Sequence, residues 1–376
     1  MYETAAGPNA GLIGVSAEAF TANVATPALC VERSAFTRNV ASMQQAATRA
    51  GKALRPHMKG HKSRTVAAMQ RDAGAIGISC ATAKEVETAA SAGIESILLT
   101  TPVASPMVLH RLGELAAAGH DIILALDTAE GVSRAAGAMG TKSFRVVIDV
   151  NVGQNRTGVA NADDALALAA AIVESGMQLC GVQAYYGHLQ HVKTLMDRQG
   201  RIDEQVAKIA PVVAALREAG YTVDIVTGGG TGTAELDLAS GAFTEIQPGS
   251  YLFLDSQYAD VERRAIPLEH SLTVVARVNS ATVANQVVID CGTKGLSTDP
   301  ATFRLASPTL PGVTHRFMGD EHSALSFPEG SALPKVGDLV SIIATHCDPT
   351  VNLYDRFHVM ESGKLIDIWA IEARGY

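Results

Sequence analysis

The chain has 376 residues, 47% of them hydrophobic, with a formal charge of -8 at pH 7 and five cysteines. That length accommodates a barrel plus a second domain, while the acidic balance and the lack of long Lys/Arg runs argue against a nucleic-acid or anionic-membrane surface and leave small-molecule chemistry. No apolar run reaches the ~18 residues of a membrane span, and no basic residue precedes Arg33 to form the charged start of a signal peptide, so a cytoplasmic protein is expected.

From about Lys52 to Leu254 short apolar runs alternate with polar loops and alanine-rich helical stretches. The runs begin at Ala53, Ile76, Ser96, Asp121, Phe144, Gln178, Val223 and Phe243, and stretches such as 163–175 and 203–219 carry apolar residues three and four apart. Strands and helices alternating in this way predict a closed (β/α)8 barrel over residues 27–258, with an open doubly wound sheet as the alternative. Beyond Tyr258 the runs 271–278, 286–290, 338–344, 357–360 and 364–371 are separated by Gly, Pro, Asn and Ser. They predict an antiparallel β domain over 259–376, with 28–31 pairing into it and residues 1–26 packing on it. Residues 305–334 read as less regular, and Gly319-Asp320-Glu321-His322 within them is a candidate active-site loop. Cys30, Cys80, Cys180, Cys291 and Cys347 are widely spaced with no CxxC pair, which predicts buried reduced thiols.

The segment Arg55-Pro56-His57-Met58-Lys59-Gly60-His61-Lys62 places a lysine among cationic and imidazole neighbours just after a strand. Desolvation or nearby positive charge turns such an amine into a nucleophile near neutral pH, so Lys59 is a candidate covalent cofactor anchor, against the plainer reading of a solvated basic turn. Barrels of this kind carry their chemistry on loops at the C-terminal strand ends. Lys59 follows the first run, Arg156 the fifth, His188 and His191 the sixth, Gly228-Gly229-Gly230-Thr231-Gly232-Thr233 the seventh, and Pro248-Gly249-Ser250-Tyr251 the eighth. The glycine run suits a phosphate cup, although a plain connecting loop has the same composition. In Thr345-His346-Cys347-Asp348, a continuing strand would send His346 and Asp348 to one face, where imidazole and carboxylate suit a divalent cation such as Mn, Mg, Zn or Co.

Taken in order, RPHMKGHK, NRTG, AYYGHLQH, GGGTGT, QPGSY and THCD resemble the D-threonine aldolase and D-serine dehydratase-like family of fold-type III pyridoxal phosphate (PLP) enzymes. The resemblance covers about Thr26 to Ile371 and implies an alanine racemase-like barrel, a β domain and a homodimer. It makes Lys59 the Schiff-base lysine, places Arg156 near the cofactor 3′-oxygen and Tyr185 near the pyridine nitrogen, and gives Gly229, Gly230, Thr231, Ser250 and Tyr251 to the phosphate. His346 and Asp348 become the metal pair, and His191 the histidine near the metal and the substrate hydroxyl, with either His191 or His188 as the base that takes the hydroxyl proton. Gly60 departs from the threonine often found after the lysine. A His-x-Asp pair resembles the aldolases, which accept Mn, where dehydratases carry His-x-Cys. The expected reaction is retro-aldol cleavage of D-threonine and other D-3-hydroxy amino acids to glycine and an aldehyde. The competing expectations are a D-3-hydroxyaspartate aldolase, a D-serine or D-threo-3-hydroxyaspartate dehydratase, and a non-catalytic PLP-binding protein.

Overall fold

The computed structural model describes residues 24–375, so the expectation for residues 1–26 lies almost wholly outside the described residues. The chain divides into two compact units. Residues 40–251 with 261–267 form one, and residues 24–39, 252–260 and 268–374 form the other.

Strand β1 (Ala28–Glu32) belongs to the second unit, and β2 (Ala53–Leu54), β3 (Ile78–Cys80), β4 (Ser96–Leu99), β5 (Asp121–Leu126), β6 (Arg145–Asp149), β7 (Gln178–Ala184), β8 (Ile225–Gly228) and β9 (Glu245–Ile246) to the first. These eight pair in parallel in the order β2-β9-β8-β7-β6-β5-β4-β3. A parallel bridge between His57 and Ser79 then joins the two ends, with the Ser79 N–H donating to Pro56 O at 2.9 Å, and the expected barrel is closed. The strands are near-continuous apolar runs because both faces are covered, and Leu98, Ile123, Ala125, Val147, Cys180 and Ile225 form one buried cluster. Between them, helices start where a polar side chain caps a free backbone N–H: Thr82 on Glu85, Thr128 on Gly131, Asn161 on Asp164 and Thr194 on Asp197. The last of these runs Leu195–Glu218, starting well before the residue 203 expected from periodicity.

The second unit holds β10 (Leu272–Ser280), β11 (Gln286–Ile289), β12 (Arg304–Ser307), β13 (Thr314–Phe317), β14 (Ser323–Ser326), β15 (Leu339–Ile343), β16 (Arg356–Glu361) and β17 (Lys364–Ala370). β1 does pair into it, antiparallel to β10 and, in a departure from an all-antiparallel sheet, parallel to β16. The stretch 305–334 is more regular than expected, since it contains β13, β14 and most of β12. Gly319–His322 is the turn between β13 and β14, with the Met318 N–H donating to His322 O at 2.9 Å. All five cysteines are buried free thiols. Among the described residues no helix is long and apolar enough to cross a membrane.

Candidate active site

Lys59 lies in a short 3-10 turn, Met58–Gly60, at the C-terminal end of β2. Its backbone N–H donates to His57 Nδ1 at 3.3 Å, while His57 Nε2 is 3.2 Å from the Thr100 hydroxyl, which donates to Cys80 O at 3.0 Å. With Nδ1 accepting and the Thr100 proton committed, Nε2 is the ring nitrogen that donates. The two cations expected to bias Lys59 are paired with carboxylates instead. Arg55 makes a bidentate pair with Glu245 at 2.7 and 3.1 Å, and Lys62 meets Glu85 at 2.7 Å. His61 Nδ1 accepts from the Ser63 N–H at 3.1 Å. The charge-based part of the expectation for Lys59 is therefore corrected, and its setting is a half-buried side chain flanked by buried residues. Lys62 holds φ 54, a left-handed conformation that a non-glycine residue keeps only when its surroundings fix it.

The loop after β6 is built around Asp149 and Asn151. Asp149 accepts from the Thr157 hydroxyl at 2.6 Å and Gln183 Nε2 at 3.0 Å, and burial raises its carboxyl above the ordinary value. The Asn151 side-chain oxygen takes the N–H groups of Gly153 and Asn155 at 3.0 and 3.1 Å, and Asn155 adopts φ 54. This fold of the loop carries the Arg156 guanidinium over the Tyr185 ring, 5.7 Å from its centroid. Tyr185 follows β7 and leads into the turn Gly187–Leu189, which bears His188, with His191 just beyond it, both exposed. Partial burial, then Lys208 and Arg201, hold the His188 imidazole below its ordinary range. Buried Arg198 donates to the carbonyls of Val192, Lys193 and Thr194, fixing the far end of this loop.

After β8 the glycine loop is fully buried. Gly229 has φ +68, and a Cβ there would lie 2.2 Å from Asp237 Oδ2. A Cβ on Gly232 would meet the Gln190 carbonyl oxygen at 1.8 Å, so both positions require glycine. The Gly230 N–H is directed to Thr233 Oγ1 at 3.1 Å and Asp237 Oδ2 at 3.3 Å, and the Gly232 N–H to Gln190 Oε1 at 3.0 Å. Thr231 Oγ1, by contrast, is buried with no hydrogen-bond partner among the described residues. An orphaned hydroxyl in a glycine cup at a strand end is what an absent phosphate group would satisfy, so these residues fit one. Ser250 and Tyr251 are buried after β9, with the Tyr251 hydroxyl accepting from Gln70 Nε2 at 3.0 Å.

In the second unit, β15 ends at Ile343, and a short helix begins at Cys347. The expected strand alternation through 346–348 is therefore wrong, because His346 sits at the helix start and Asp348 in its first turn. His346 Nδ1 is 2.7 Å from Asp299 Oδ2, the Cys347 N–H donates to buried Asp255 at 2.8 Å, and the Cys347 thiol faces Asp348 Oδ1 at 3.3 Å. Among the described residues no group of three or more His, Cys, Asp or Glu is arranged to hold a metal ion. The donor chemistry of His346 Nε2 and the Asp348 carboxylate still fits a cation that completes its shell with water or substrate oxygens.

Residues 31–257 match the model for the alanine racemase N-terminal domain, and residues 271–360 that for a putative serine dehydratase domain. The chain belongs to the alanine racemase N-terminal domain family. Within that alanine racemase-like family, a D-threonine aldolase of an Arthrobacter species is 38% identical over 365 residues, 94% of each chain. A 3-hydroxy-D-aspartate aldolase of Paracoccus denitrificans is 31% identical, covering 94% of this chain and 92% of its own. The crystal structure of D-threonine aldolase from Filomicrobium marinum superposes with a TM-score of 0.90 at 35% identity, covering 94% of this chain and 96% of that one. The family resemblance carried by the motifs is thereby borne out, as is the alanine racemase-like fold.

Sequence reasoning missed the supporting polar residues of both units: Glu245, Glu85, Asp149, Gln190, Asp237 and Asp299. Each lies far in sequence from at least one partner and looks like an ordinary polar position. The spacing of Thr233 and Asp237, four apart across a helix start, was the one local signal available.

Proposed function

We propose that the chain is a PLP- and divalent-metal-dependent aldehyde-lyase that cleaves D-threonine and other D-3-hydroxy amino acids to glycine and an aldehyde. The observation that carries this is the pairing, at the C-terminal strand ends of one barrel, of Lys59 in its His57-capped turn with the partnerless hydroxyl of Thr231 in a glycine cup. The 38% identity with a D-threonine aldolase supports the same reaction. PLP, when bound, supplies an electron sink for the bond broken beside the amino-acid α-carbon. Lys59 would hold the aldehyde end of the cofactor, with Arg156 serving the side of its 3′-oxygen and Tyr185 the pyridine ring. Gly229, Gly230, Thr231, Ser250 and Tyr251 take the phosphate end, Gly230 by leaving room and Thr231 through its hydroxyl.

His346 and Asp348 would hold the divalent ion, with Mn favoured because an imidazole donor counts against Mg and a hard carboxylate against Zn or Co. His191 removes the proton of the substrate β-hydroxyl, and His188 supports the turn that presents it. In this reading residues 27–258 carry the cofactor and 259–376 the metal pair, and the enzyme works in the cytoplasm as a homodimer. Replacing Lys59 with Ala tests the assignment. Turnover and the visible absorbance of the lysine-bound cofactor should both vanish, and retention of both would contradict it. A second reading, cleavage of D-3-hydroxyaspartate, is favoured by the 31% identical Paracoccus relative and differs in releasing glyoxylate.

A further inference from the structure

Asp237 is fully buried in the short helix Ala234–Ala239, and its hydrogen bonds all come from neutral donors. The Tyr186 hydroxyl donates to Oδ1, and the Thr233 hydroxyl and the Gly230 N–H donate to Oδ2 at 2.5 and 3.3 Å. Gln190 braces the same loop from the other side. Its Nε2 donates to Thr233 Oγ1 at 2.9 Å and its Oε1 accepts from the Gly232 N–H at 3.0 Å. Every side-chain group of the loop is thus satisfied except Thr231 Oγ1.

A carboxyl group in so dry a position is costly, and an apolar residue of similar size would hold the helix against the barrel at less expense. What only an acceptor of several hydrogen bonds achieves here is a fixed path for residues 229–233, with the Gly230 and Thr233 donors turned inward and the Thr231 hydroxyl left over. We infer that Asp237, acting through Gly230, Thr233 and Tyr186, is a positioning residue that sets the glycine loop to receive the phosphate of the cofactor. The inference rests on the PLP assignment above. Burial pushes the Asp237 carboxyl up to about 7, against the pull of Thr233, Tyr186, Gly230 and Arg198. Tyr186, Thr233 and Gly230 act on it through hydrogen bonds, and Arg198 through its charge.

The test compares PLP with pyridoxal, which lacks the phosphate. Full-length apoprotein is titrated with each, reading the absorbance of the Lys59 adduct, for wild type, Asp237→Asn and Tyr186→Phe. The wild type should prefer PLP strongly. Asp237→Asn should shrink the preference by about tenfold or more, a change of about 1.4 kcal/mol, with pyridoxal affinity nearly unchanged. Tyr186→Phe should shrink it less and keep the apoprotein Tm. If Asp237→Asn does not fold, Tyr186→Phe alone decides. An unchanged preference in the folded variants, or equal losses for PLP and pyridoxal, would overturn the positioning role while leaving the PLP assignment standing. A wild type that forms no adduct with either compound would remove the assignment and the inference together.

Discussion

The guanidinium of Arg156 rests over the ring of Tyr185, 5.7 Å from its centroid, although the two residues arrive on loops after different strands, β6 and β7. Both were singled out from sequence for one cofactor ring, Arg156 at its 3′-oxygen and Tyr185 near its nitrogen, and the contact shows that their loops converge. A cation over an exposed aromatic face contributes about 0.5–1 kcal/mol. A double-mutant cycle with Arg156→Gln and Tyr185→Leu, read by denaturant unfolding of the apoprotein, should give a coupling of about that size. Coupling indistinguishable from zero would mean that the two side chains do not stack in solution.

The Arg55 and Glu245 side chains are each only 4% exposed and tie the β2 end to β9, where the ladder is only two residue pairs long. Removing one partner leaves a buried charge uncompensated. Glu245→Ala should therefore cost about 3–5 kcal/mol of stability, and the double replacement Arg55→Met with Glu245→Leu should recover much of that loss. Equal stability of the single variant and wild type in urea melts would sink the idea that this pair secures the β2–β9 seam.

The barrel was legible because each unit announces itself locally, as an apolar run, a capped helix and a glycine or proline break. The ends of the runs were less so. Only Ala53 and Leu54 of the first run enter the regular ladder, since Pro56 has no N–H to offer, although the His57 bridge continues the path. The strands β12, β13 and β14 were missed because each is only four residues long, β12 and β13 are half-exposed, and β12 is held by β15, remote in sequence. The candidate site residues with reactive side chains were picked out by residue type and order. Their neighbours were not, and this reversed one physical argument: Arg55 and Lys62 look like free cations in sequence but are neutralised by Glu245 and Glu85 in the fold.

His188 and His191 separate by pH as well as by mutation. His188 is held below its ordinary range, so it stays neutral until the pH falls beneath that range. With His191 as the base, His191→Asn should lower kcat by about 10²–10⁴-fold. His188→Asn should keep most activity and leave the acid limb of the kcat/KM profile in place. An acid limb below the ordinary histidine range that disappears in His188→Asn would transfer the role to His188.

Asp299 holds Nδ1 of His346 at 2.7 Å and so presents Nε2 outward. Chelation with EDTA should abolish activity, and Mn should restore it in wild type but not in His346→Ala or Asp348→Ala. Asp299→Asn should weaken Mn binding by about 10–100-fold, followed by the electron paramagnetic resonance of free Mn. Unchanged Mn affinity in Asp299→Asn would limit Asp299 to a structural contact.

The most direct test of the proposed reaction is product analysis with the purified protein, PLP and Mn, supplying D-threonine and L-threonine separately and assaying acetaldehyde, glycine, ammonia and 2-oxobutanoate. Acetaldehyde and glycine in equal amounts, from the D isomer alone, is the expected result. Ammonia with 2-oxobutanoate would contradict it and make the chain a dehydratase despite the carboxylate at Asp348.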